Sequence, residues 1–181
     1  MVMAEIKNKN QAYLDMDDKY VNPVLSRSAR IVAERASGSY IYDMNGDAYL
    51  DMGTGIAVNS VGHCHPKVVA AAKAQLDQLM HTSVTTHHQR YIELAKKLVE
   101  IAPSKKLDSV FLTNSGAGAV EGAIKMARYV TGRPVIINFR GSFHGRTIFT
   151  TALTTSKLYY REKYEPLPGS IFTVAFPYQF R

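Results

Sequence analysis

The feature that most constrains the fold is an ordered succession of patterns between residues 109 and 139. Residues 109–113 (SVFLT) predict a buried strand, and residues 114–118 (NSGAG) predict a turn of small residues. A helix is predicted next, since Gly132 closes a run of apolar side chains at helical spacing, namely Val120, Ala123, Ile124, Ala127 and Val130. Residues 134–139 predict a second strand. Strand, turn, helix and strand form a βαβ unit, so we expect an α/β fold with a parallel or mixed sheet.

A β-hairpin is predicted before this unit, over residues 39–52. Apolar and polar side chains alternate on both sides of Asn45-Gly46, a dipeptide typical of a tight hairpin turn in which both residues take positive φ. The preceding residues 1–38 are mostly polar, and Pro23 breaks any helix there. We therefore expect residues 1–38 to form an extended arm.

Two helices and a third strand complete the predicted elements. The three glycines of residues 53–62 predict a loop that packs closely or approaches a ligand. Pro66 begins a helix at the position where its missing N–H costs nothing. A second helix is predicted from about Gln89 and ends before Pro103, and residues 171–176 predict the last strand.

Composition excludes several classes of protein. With 181 residues, 46% hydrophobic and 20% charged, the chain is typical of a globular domain and not of a disordered or collagen-like one. The only cysteine, Cys64, excludes a disulfide framework and suits a reducing compartment. The longest apolar run, residues 68–72, is too short to span a bilayer, and the first ten residues lack the apolar core of a signal peptide. We expect a cytoplasmic protein without a membrane segment.

The net charge of +7 is not distributed like a nucleic-acid-binding surface. Residues 1–60 carry 6 basic and 8 acidic side chains, whereas residues 121–181 carry 9 and 3. The longest basic runs are pairs, at 96–97 and 105–106, and both suit the solvated face of a helix or its end. The excess of basic residues toward the end of the chain therefore indicates binding of an anionic ligand or of an acidic partner surface. No nucleic-acid partner is expected.

The turn after the first predicted strand is a candidate anion site. Backbone N–H groups without partners and the helix dipole favour an anion at a helix N-terminus. Gly116 allows the backbone to approach a phosphate, and Ser115 adds a hydroxyl donor. The alternative is a plain strand-to-helix turn, which any α/β protein needs. The turn matches neither a Walker A loop nor a GxGxxG fingerprint. The sequence of the turn therefore does not indicate a nucleotide-binding site.

A second candidate is the loop over residues 141–147 (GSFHGRT), which follows the next strand. Ligands of parallel sheets bind at the carboxyl ends of the strands, where this loop begins. Phe143 offers a flat face for an aromatic ring, His144 offers a group for hydrogen bonding or stacking, and Arg146 offers a planar fork for a carboxylate. Taken alone, the loop is better explained by a core phenylalanine and a surface ion pair than by a ligand site.

The histidines around Cys64 raise the question of a metal site. His63, Cys64 and His65 could contribute ligands, with His87-His88 further along the chain. Neither a CxxC nor an HxxxH pair accompanies them, and His65 leads into a predicted helix. No metal is therefore expected.

Three stretches, in order, resemble the class III (omega-type) pyridoxal-phosphate (PLP) aminotransferases of fold type I, the group containing 4-aminobutyrate, acetylornithine and ornithine aminotransferases. They are SYIYDMNGDAYLDMGTGIAVNSVGHCHPKVVAAAKAQLDQL, FLTNSGAGAVEGAIKMAR and FRGSFHGRT. The resemblance runs from about residue 20 to near the end of the chain. It implies that residues 1–65 hold an N-terminal arm, hairpin and glycine loop. It also implies that residues 66–181 are the first, incomplete part of a large PLP-binding domain.

The resemblance assigns cofactor contacts to five residues. It implies that Ser115, Gly116 and Ala117 form the cup for the cofactor phosphate. Phe143 resembles the aromatic residue that stacks on the pyridine ring, with His144 beside it. The expected cofactor is therefore pyridoxal 5'-phosphate.

Two further residues resemble substrate contacts, and two positions depart from the family pattern. Arg146 resembles the arginine that binds the substrate carboxylate, and Ile56 resembles an apolar contact in the substrate pocket. Ala117 stands where many members have Ser or Thr, and Gly118 replaces the usual Glu of the first helical turn. Both departures are expected to weaken cofactor binding.

The chain lacks the expected catalytic groups. Transamination with PLP needs a Schiff-base lysine and a carboxylate that keeps the pyridine nitrogen protonated. In the family both lie downstream of the GSFHGRT-like loop, and none of the twelve lysines here has a fitting context. We interpret the chain as the N-terminal portion of an aminotransferase that acts on an omega-amino acid such as 4-aminobutyrate and a 2-oxo acid. The portion is expected to be inactive alone, and its parent to be a homodimer.

Two alternatives remain open at this point. One is a fragment of an amino-acid racemase or epimerase with the same fold. The other is a non-catalytic binding or assembly module that pairs with a separate C-terminal half.

Overall fold

The structure is a computed structural model that describes residues 9–24 and 27–180. The chain forms two compact units that divide between Thr86 and His87. The domain boundary expected after residue 65 lies earlier than this division and stays a prediction. The described residues contain no helix that is both long and apolar enough to cross a membrane.

The first unit begins with a helix and a three-stranded sheet. The elements are α1 (Lys9–Tyr20), β1 (Ala33–Ser37), β2 (Tyr40–Asp43) and β3 (Ala48–Leu50). Both strand pairs are antiparallel, in the order β1-β2-β3. The predicted hairpin is thus confirmed, with Tyr40 opposite Leu50 and Tyr42 opposite Ala48.

The expectation of an extended arm over residues 1–38 is wrong for α1, whereas β1 is extended and pairs with the hairpin. Residues 1–8 and 25–26 lie outside the described part. Pro23 follows the end of α1, where it interrupts no helical hydrogen bond. Contacts with the hairpin also hold the helix. Asn10 donates from Nδ2 to Asp43 (2.6 Å), and its Oδ1 accepts from the N–H of Val32 (3.3 Å). Tertiary hydrogen bonds of this kind are invisible to a local pattern.

The hairpin turn is built around the carboxylate of Asp43, which is 1% exposed. Its Oδ1 accepts from the N–H groups of Asn45 and Asp47, both at 2.9 Å, and the Tyr49 hydroxyl donates to Oδ2. Only Gly46 has positive φ, so the expectation for Asn45 is wrong, because the carboxylate provides the turn's hydrogen bonds. Burial raises the pKa of Asp43, but the hydrogen bonds together hold it below the usual value.

The rest of the first unit contains a short turn, Thr54–Ala57, helix α2 (Pro66–Leu76) and a 3-10 turn, Ser83–Thr85. Pro66 occupies the start of α2, as predicted. The predicted loop over residues 53–62 includes the short turn, named here the Ile56 turn. Its interior residues Gly55 and Ile56 have left-handed dihedral angles, so it is not a piece of regular α-helix.

The second unit carries a parallel strand pair and three helices among the described residues. They are α3 (Gln89–Glu100), α4 (Gly116–Thr131), β4 (Ile136–Phe139), α5 (Ile148–Leu153) and β5 (Ile171–Val174). Strands β4 and β5 are parallel, with Ile136 opposite Ile171 and Phe139 opposite Val174. The helices predicted from Gln89 and through Val120 are confirmed, and Gly132 ends α4 with φ of 66°. The α/β expectation is confirmed.

The strand predicted over residues 109–113 is wrong. These residues belong to no strand, and no described strand pairs with them. A strand needs a neighbour to take its backbone hydrogen bonds, and an apolar run alone does not supply one. Phe111 remains 72% exposed, although its ring lies close to Gly122 of α4. The parallel pair of this unit is β4 and β5, and α5 lies on the connection between them.

Helix α5 forms the best-buried part of the second unit. The buried apolar residues of the described chain are Ala152 and Leu153, and Thr150, Thr151 and Thr154 are buried beside them. Asn138 of β4 donates to the carbonyl of Leu153 and accepts from the Thr173 hydroxyl (2.8 Å). This buried amide ties β4 to both α5 and β5 and thereby sets the path of the loop after β4.

Candidate active site

The N-terminus of α4 presents an open group of hydrogen-bond donors. Ser115 is extended and caps the helix, with its Oγ accepting from the Gly118 N–H at 3.0 Å. The hydroxyl proton of Ser115 remains available for a ligand. The N–H groups of Gly116 and Ala117 belong to the first turn, where a helix supplies no acceptor. A Cβ on Gly116 would meet nothing within 4 Å, so this position is open.

The predicted loop over residues 141–147 packs directly against this helix end. A Cβ on Gly145 would lie 2.7 Å from the Ala117 Cβ and 2.7 Å from the Thr150 Oγ1, so only glycine fits there. Gly145 also has φ of 136°, which disfavours any side chain. A second contact runs from the Thr147 hydroxyl to Glu121 of α4, at 2.6 Å. The structure therefore brings the two predicted segments together.

The two departures from the family pattern have different structural consequences. The methyl group of Ala117 faces Gly145, so a phosphate contact by Ala117 would come from its N–H. A Cβ on Gly118 would lie 2.5 Å from the Thr113 hydroxyl oxygen and 3.3 Å from the Ser115 Oγ. Gly118 therefore lets Thr113 lie close to the cap, and a larger residue there would displace the Thr113 side chain.

Phe143 and Arg146 are both exposed on the loop. Phe143 is 53% exposed, so it is not a core side chain, and its ring meets the edge of Tyr160 with the centroids 5.2 Å apart. Arg146 takes part in none of the ion pairs found among residues 9–24 and 27–180. The backbone N–H of His144 donates to the Thr154 hydroxyl at 3.0 Å. A planar apolar ring and a guanidinium thus project from one anchored loop.

Three threonines to which the sequence analysis gave no role hold this loop. Thr147 caps α5 and forms a capping box with Thr150. Thr154, which is fully buried, accepts from the His144 N–H and donates toward the carbonyls of Gly145 (3.1 Å) and Thr150 (2.9 Å). The spacing of three and four residues between these threonines is a signal that could have been noticed, because it places the hydroxyls on one face of a helix.

Tyr160 is the other residue that sequence reasoning missed. It is the last residue of a short 3-10 turn, Leu158–Tyr160, and contacts both Phe143 and Tyr159, whose ring centroid is 4.3 Å away. The hydrogen bond with Tyr159 and burial raise the pKa of Tyr160, while the charges of Lys157 and Arg146 oppose the rise. The ring of Tyr160 therefore packs against the exposed ring of Phe143.

The remaining candidates belong to the first unit. Ile56 is 95% exposed. His63 pairs with Asp51 at 2.7 Å, and the described residues include no group of three or more potential metal ligands around His63, Cys64 or elsewhere.

Comparison with known sequences decides the family. The sequence profile named aminotransferase class-III matches residues 22–181. The chain belongs to the class-III aminotransferase family. Among its relatives, it is 42% identical to acetylornithine aminotransferase from Archaeoglobus fulgidus, with 88% of this chain and 41% of the relative covered. It is also 42% identical to 5-aminovalerate aminotransferase from Pseudomonas aeruginosa, with 81% and 35% covered.

Solved structures agree with this membership. The taurine:2-oxoglutarate aminotransferase from Bifidobacterium kashiwanohense, solved with PLP and glutamate, has a TM-score of 0.84 and 28% identity over 94% of this chain. The ornithine aminotransferase from Toxoplasma gondii has a TM-score of 0.83 at 24% identity, which shows the fold alone. The fold is that of the PLP-dependent transferases of fold type I. The chain spans about 40% of the length of these relatives.

Proposed function

We propose that the chain is the N-terminal part of a PLP-dependent aminotransferase that moves an amino group from an omega-amino acid to a 2-oxo acid. The observation that carries this proposal is the packing of the α4 N-terminus against the loop over residues 141–147. Through it, a set of anion-binding donors, an exposed aromatic ring and an exposed guanidinium lie on one anchored piece of structure.

The residues at the α4 N-terminus suit a phosphate. The N–H groups of Gly116 and Ala117, the Ser115 hydroxyl and the helix dipole all favour a negative group. The open position at Gly116 leaves room for the group to approach the backbone. We assign these three residues to the phosphate of PLP.

The loop residues suit the ring and the substrate. Phe143 offers its exposed surface for stacking on the pyridine, with His144 next to it, and Arg146 offers a bidentate partner for a carboxylate. PLP supplies an electron-withdrawing ring that stabilises negative charge developing on the substrate. The residues of this chain would hold that ring and orient the substrate. Ile56 is proposed as an apolar substrate contact, which its exposure permits.

The substrate class is supported by the relatives. They are named for acetylornithine, 5-aminovalerate and, in Bacillus subtilis, probable 4-aminobutyrate, all amines remote from a carboxylate. We propose a 4-aminobutyrate-like donor, a homodimeric whole protein and a cytoplasmic location. We further propose that residues 1–181 do not transaminate alone, since the Schiff-base lysine lies outside them.

The phosphate site is tested by Gly116→Glu against Gly116→Gln. Both side chains enter the same open space at a position of helical dihedral angles, but only glutamate brings a negative charge to the phosphate position. PLP affinity, measured by fluorescence titration, is expected to fall at least tenfold more for Gly116→Glu than for Gly116→Gln. Equal affinities of the two variants would contradict the assignment.

Inactivity of the isolated chain is tested by borohydride reduction in the presence of PLP, followed by mass spectrometry. We expect no stoichiometric adduct on any single lysine. A site-specific adduct, for example on Lys157, would overturn this part of the proposal.

An assembly module is the second candidate, and one observation favours it. Many large apolar side chains of the described residues are exposed, including Phe111, Tyr129 and Phe172. Size-exclusion chromatography distinguishes the cases, because an assembly module is expected to self-associate or to require a partner. A clean monomer that binds no hydrophobic dye would argue against it.

A further inference from the structure

The Ile56 turn has an unfavourable backbone conformation. Thr54, Gly55, Ile56 and Ala57 all have positive φ, between 45° and 64°. Only glycine adopts this region without a steric penalty, and a β-branched residue such as isoleucine is especially disfavoured there. Strained residues of this kind persist only when the surrounding structure holds them.

The turn gains no burial in return. Ile56 is 95% exposed, and no residue of Thr54–Ala57 is buried. An apolar side chain that is both strained and exposed does not stabilise the unit that carries it. The turn must therefore be held from its flanks, and the exposed side chain is available for a contact outside the unit.

Asp51 holds the beginning of the turn. Its Oδ1 accepts from the N–H groups of Gly53 (3.0 Å) and Thr54 (2.8 Å), which fixes the entry of the chain. Its Oδ2 lies 2.7 Å from His63 Nε2, which donates since a carboxylate only accepts. The hydrogen bond with His63 lowers the pKa of Asp51, and the Thr54 N–H lowers it further.

His63 anchors this arrangement to the sheet. Its N–H and carbonyl exchange backbone hydrogen bonds with Gly38, at 2.8 and 3.0 Å, at the end of β1. Its Nδ1 lies 3.2 Å from the amide nitrogen of Asn59, and the Asn59 N–H donates to the carbonyl of Thr54. The side chains of His63 and Asp51 are only 18% and 12% exposed. One nearly buried pair thus links the start of the turn, its end and the hairpin.

We propose that Asp51 and His63 are positioning residues that hold the Ile56 turn in its strained form and so present Ile56 for substrate contact. This inference rests on the proposed function in one respect, namely that Ile56 touches the substrate. The role of the pair in holding the turn rests on contacts within the first unit alone.

Limited proteolysis tests whether the pair holds the turn. Thermolysin cuts before large apolar residues in extended segments, so a released turn exposes the bonds before Ile56 and Val58. We expect Asp51→Ala and His63→Ala to raise the rate of cleavage at these bonds at least tenfold. Asp51→Asn keeps an acceptor for the Gly53 and Thr54 N–H groups and is expected to show a smaller rise. The control is His87→Ala, an exposed histidine outside the pair.

Steady-state kinetics test the role toward the substrate, with the polypeptide expressed together with any residues that follow Arg181. We expect Asp51→Ala to raise KM for the amino donor at least tenfold while kcat changes less than twofold. A merely structural role would lower kcat with the folded fraction and leave KM unchanged. The KM of Asp51→Asn is expected to lie closer to the wild-type value than the KM of Asp51→Ala.

The outcomes separate the inference from the proposed function. Unchanged cleavage in both alanine variants overturns the inference, and so does faster cleavage with an unchanged KM. If the wild-type polypeptide neither binds PLP nor transaminates, the proposed function fails, and the holding role is judged by cleavage alone. Should Asp51→Ala not fold, His63→Ala replaces it in the kinetic test, with the same expected direction and the same contradicting result.

Discussion

The loop over residues 141–147 and the Ile56 turn both expose an apolar side chain, but they are held in different ways. The loop rests on several hydrogen bonds from Thr147, Thr150 and Thr154, including one from Thr147 to Glu121, and its positive φ values fall on glycines. The Ile56 turn places three non-glycine residues in the left-handed region, at about 1–2 kcal/mol each. It depends on one ionisable pair. The loop therefore has several independent supports, whereas the loss of one pair is expected to release the turn.

The largest effect is expected where the loop meets α4. Gly145→Val places a side chain against Ala117 and Thr150 at a backbone φ of 136°, so we expect a loss of about 3 kcal/mol or more in the free energy of unfolding. PLP binding is expected to be lost as well. Gly141→Ala is the control, because φ is also positive there but nothing lies within 4 Å, and about 1 kcal/mol is expected. Equal losses in urea unfolding would show that the packing is unimportant.

A smaller effect is expected from one buried hydroxyl of the loop. Thr154→Val keeps the shape but removes the partner of the His144 N–H, so we expect a loss of about 1–3 kcal/mol. Thr155→Val serves as the control, since its hydroxyl makes one bond, to Phe139, at a more exposed site. If the two variants lose the same stability, the buried network does not hold the loop.

The pH dependence of stability sharpens the comparison. The pKa of Asp51 is lower in the folded chain than the ordinary value near 4, so its contribution is complete above about pH 4 and is lost as pH falls through the lowered pKa. We expect the stability difference between wild type and Asp51→Asn to shrink as the pH falls below about 4. The difference between wild type and Thr154→Val should stay flat over the same range. A flat Asp51→Asn difference would mean that the charge is unimportant.

The smallest effect is expected from substitution of Tyr160, whose ring packs against Phe143. Tyr160→Leu removes an edge-on ring contact worth about 0.5–1.5 kcal/mol, so PLP affinity is expected to fall by about two- to tenfold. Tyr164→Leu, at an exposed tyrosine of the same connection, is the matched control. An equal fall in both variants would assign the effect to the connection as a whole and not to support of Phe143.

The elements predicted best are those whose signals are local. Pro66 marked the start of α2, Gly132 marked the end of α4, and the alternation around Asn45-Gly46 marked the hairpin. Helix α1 and strand β1 were missed because their support comes from Asp43 and from strand pairing. The strand predicted over residues 109–113 failed for the converse reason, since its apolar pattern has no described partner.

The residues of the candidate site also fall into two groups, those that the sequence motifs identified and those that only the structure revealed. The motif order alone led to Ser115, Gly116 and Ala117 and to the loop with Phe143, His144 and Arg146. The roles of these residues and of Ile56 remain proposals. Residues that act by supporting others, such as Thr154 and Tyr160, carry no motif of their own, and only the folded backbone brings them to the loop.

The sequence by itself determined the family, the α/β class and the positions of the local turns, because these depend on residue order and short-range periodicity. Only the tertiary structure showed that Gly145 packs against Ala117, and that Asp51 and His63 form a pair beside the strained turn. Contacts between residues far apart in the chain depend on distances of a few tenths of an ångström, which no spacing rule encodes. For this reason we expect the loop and the Ile56 turn to respond differently to substitution, although both expose an apolar side chain.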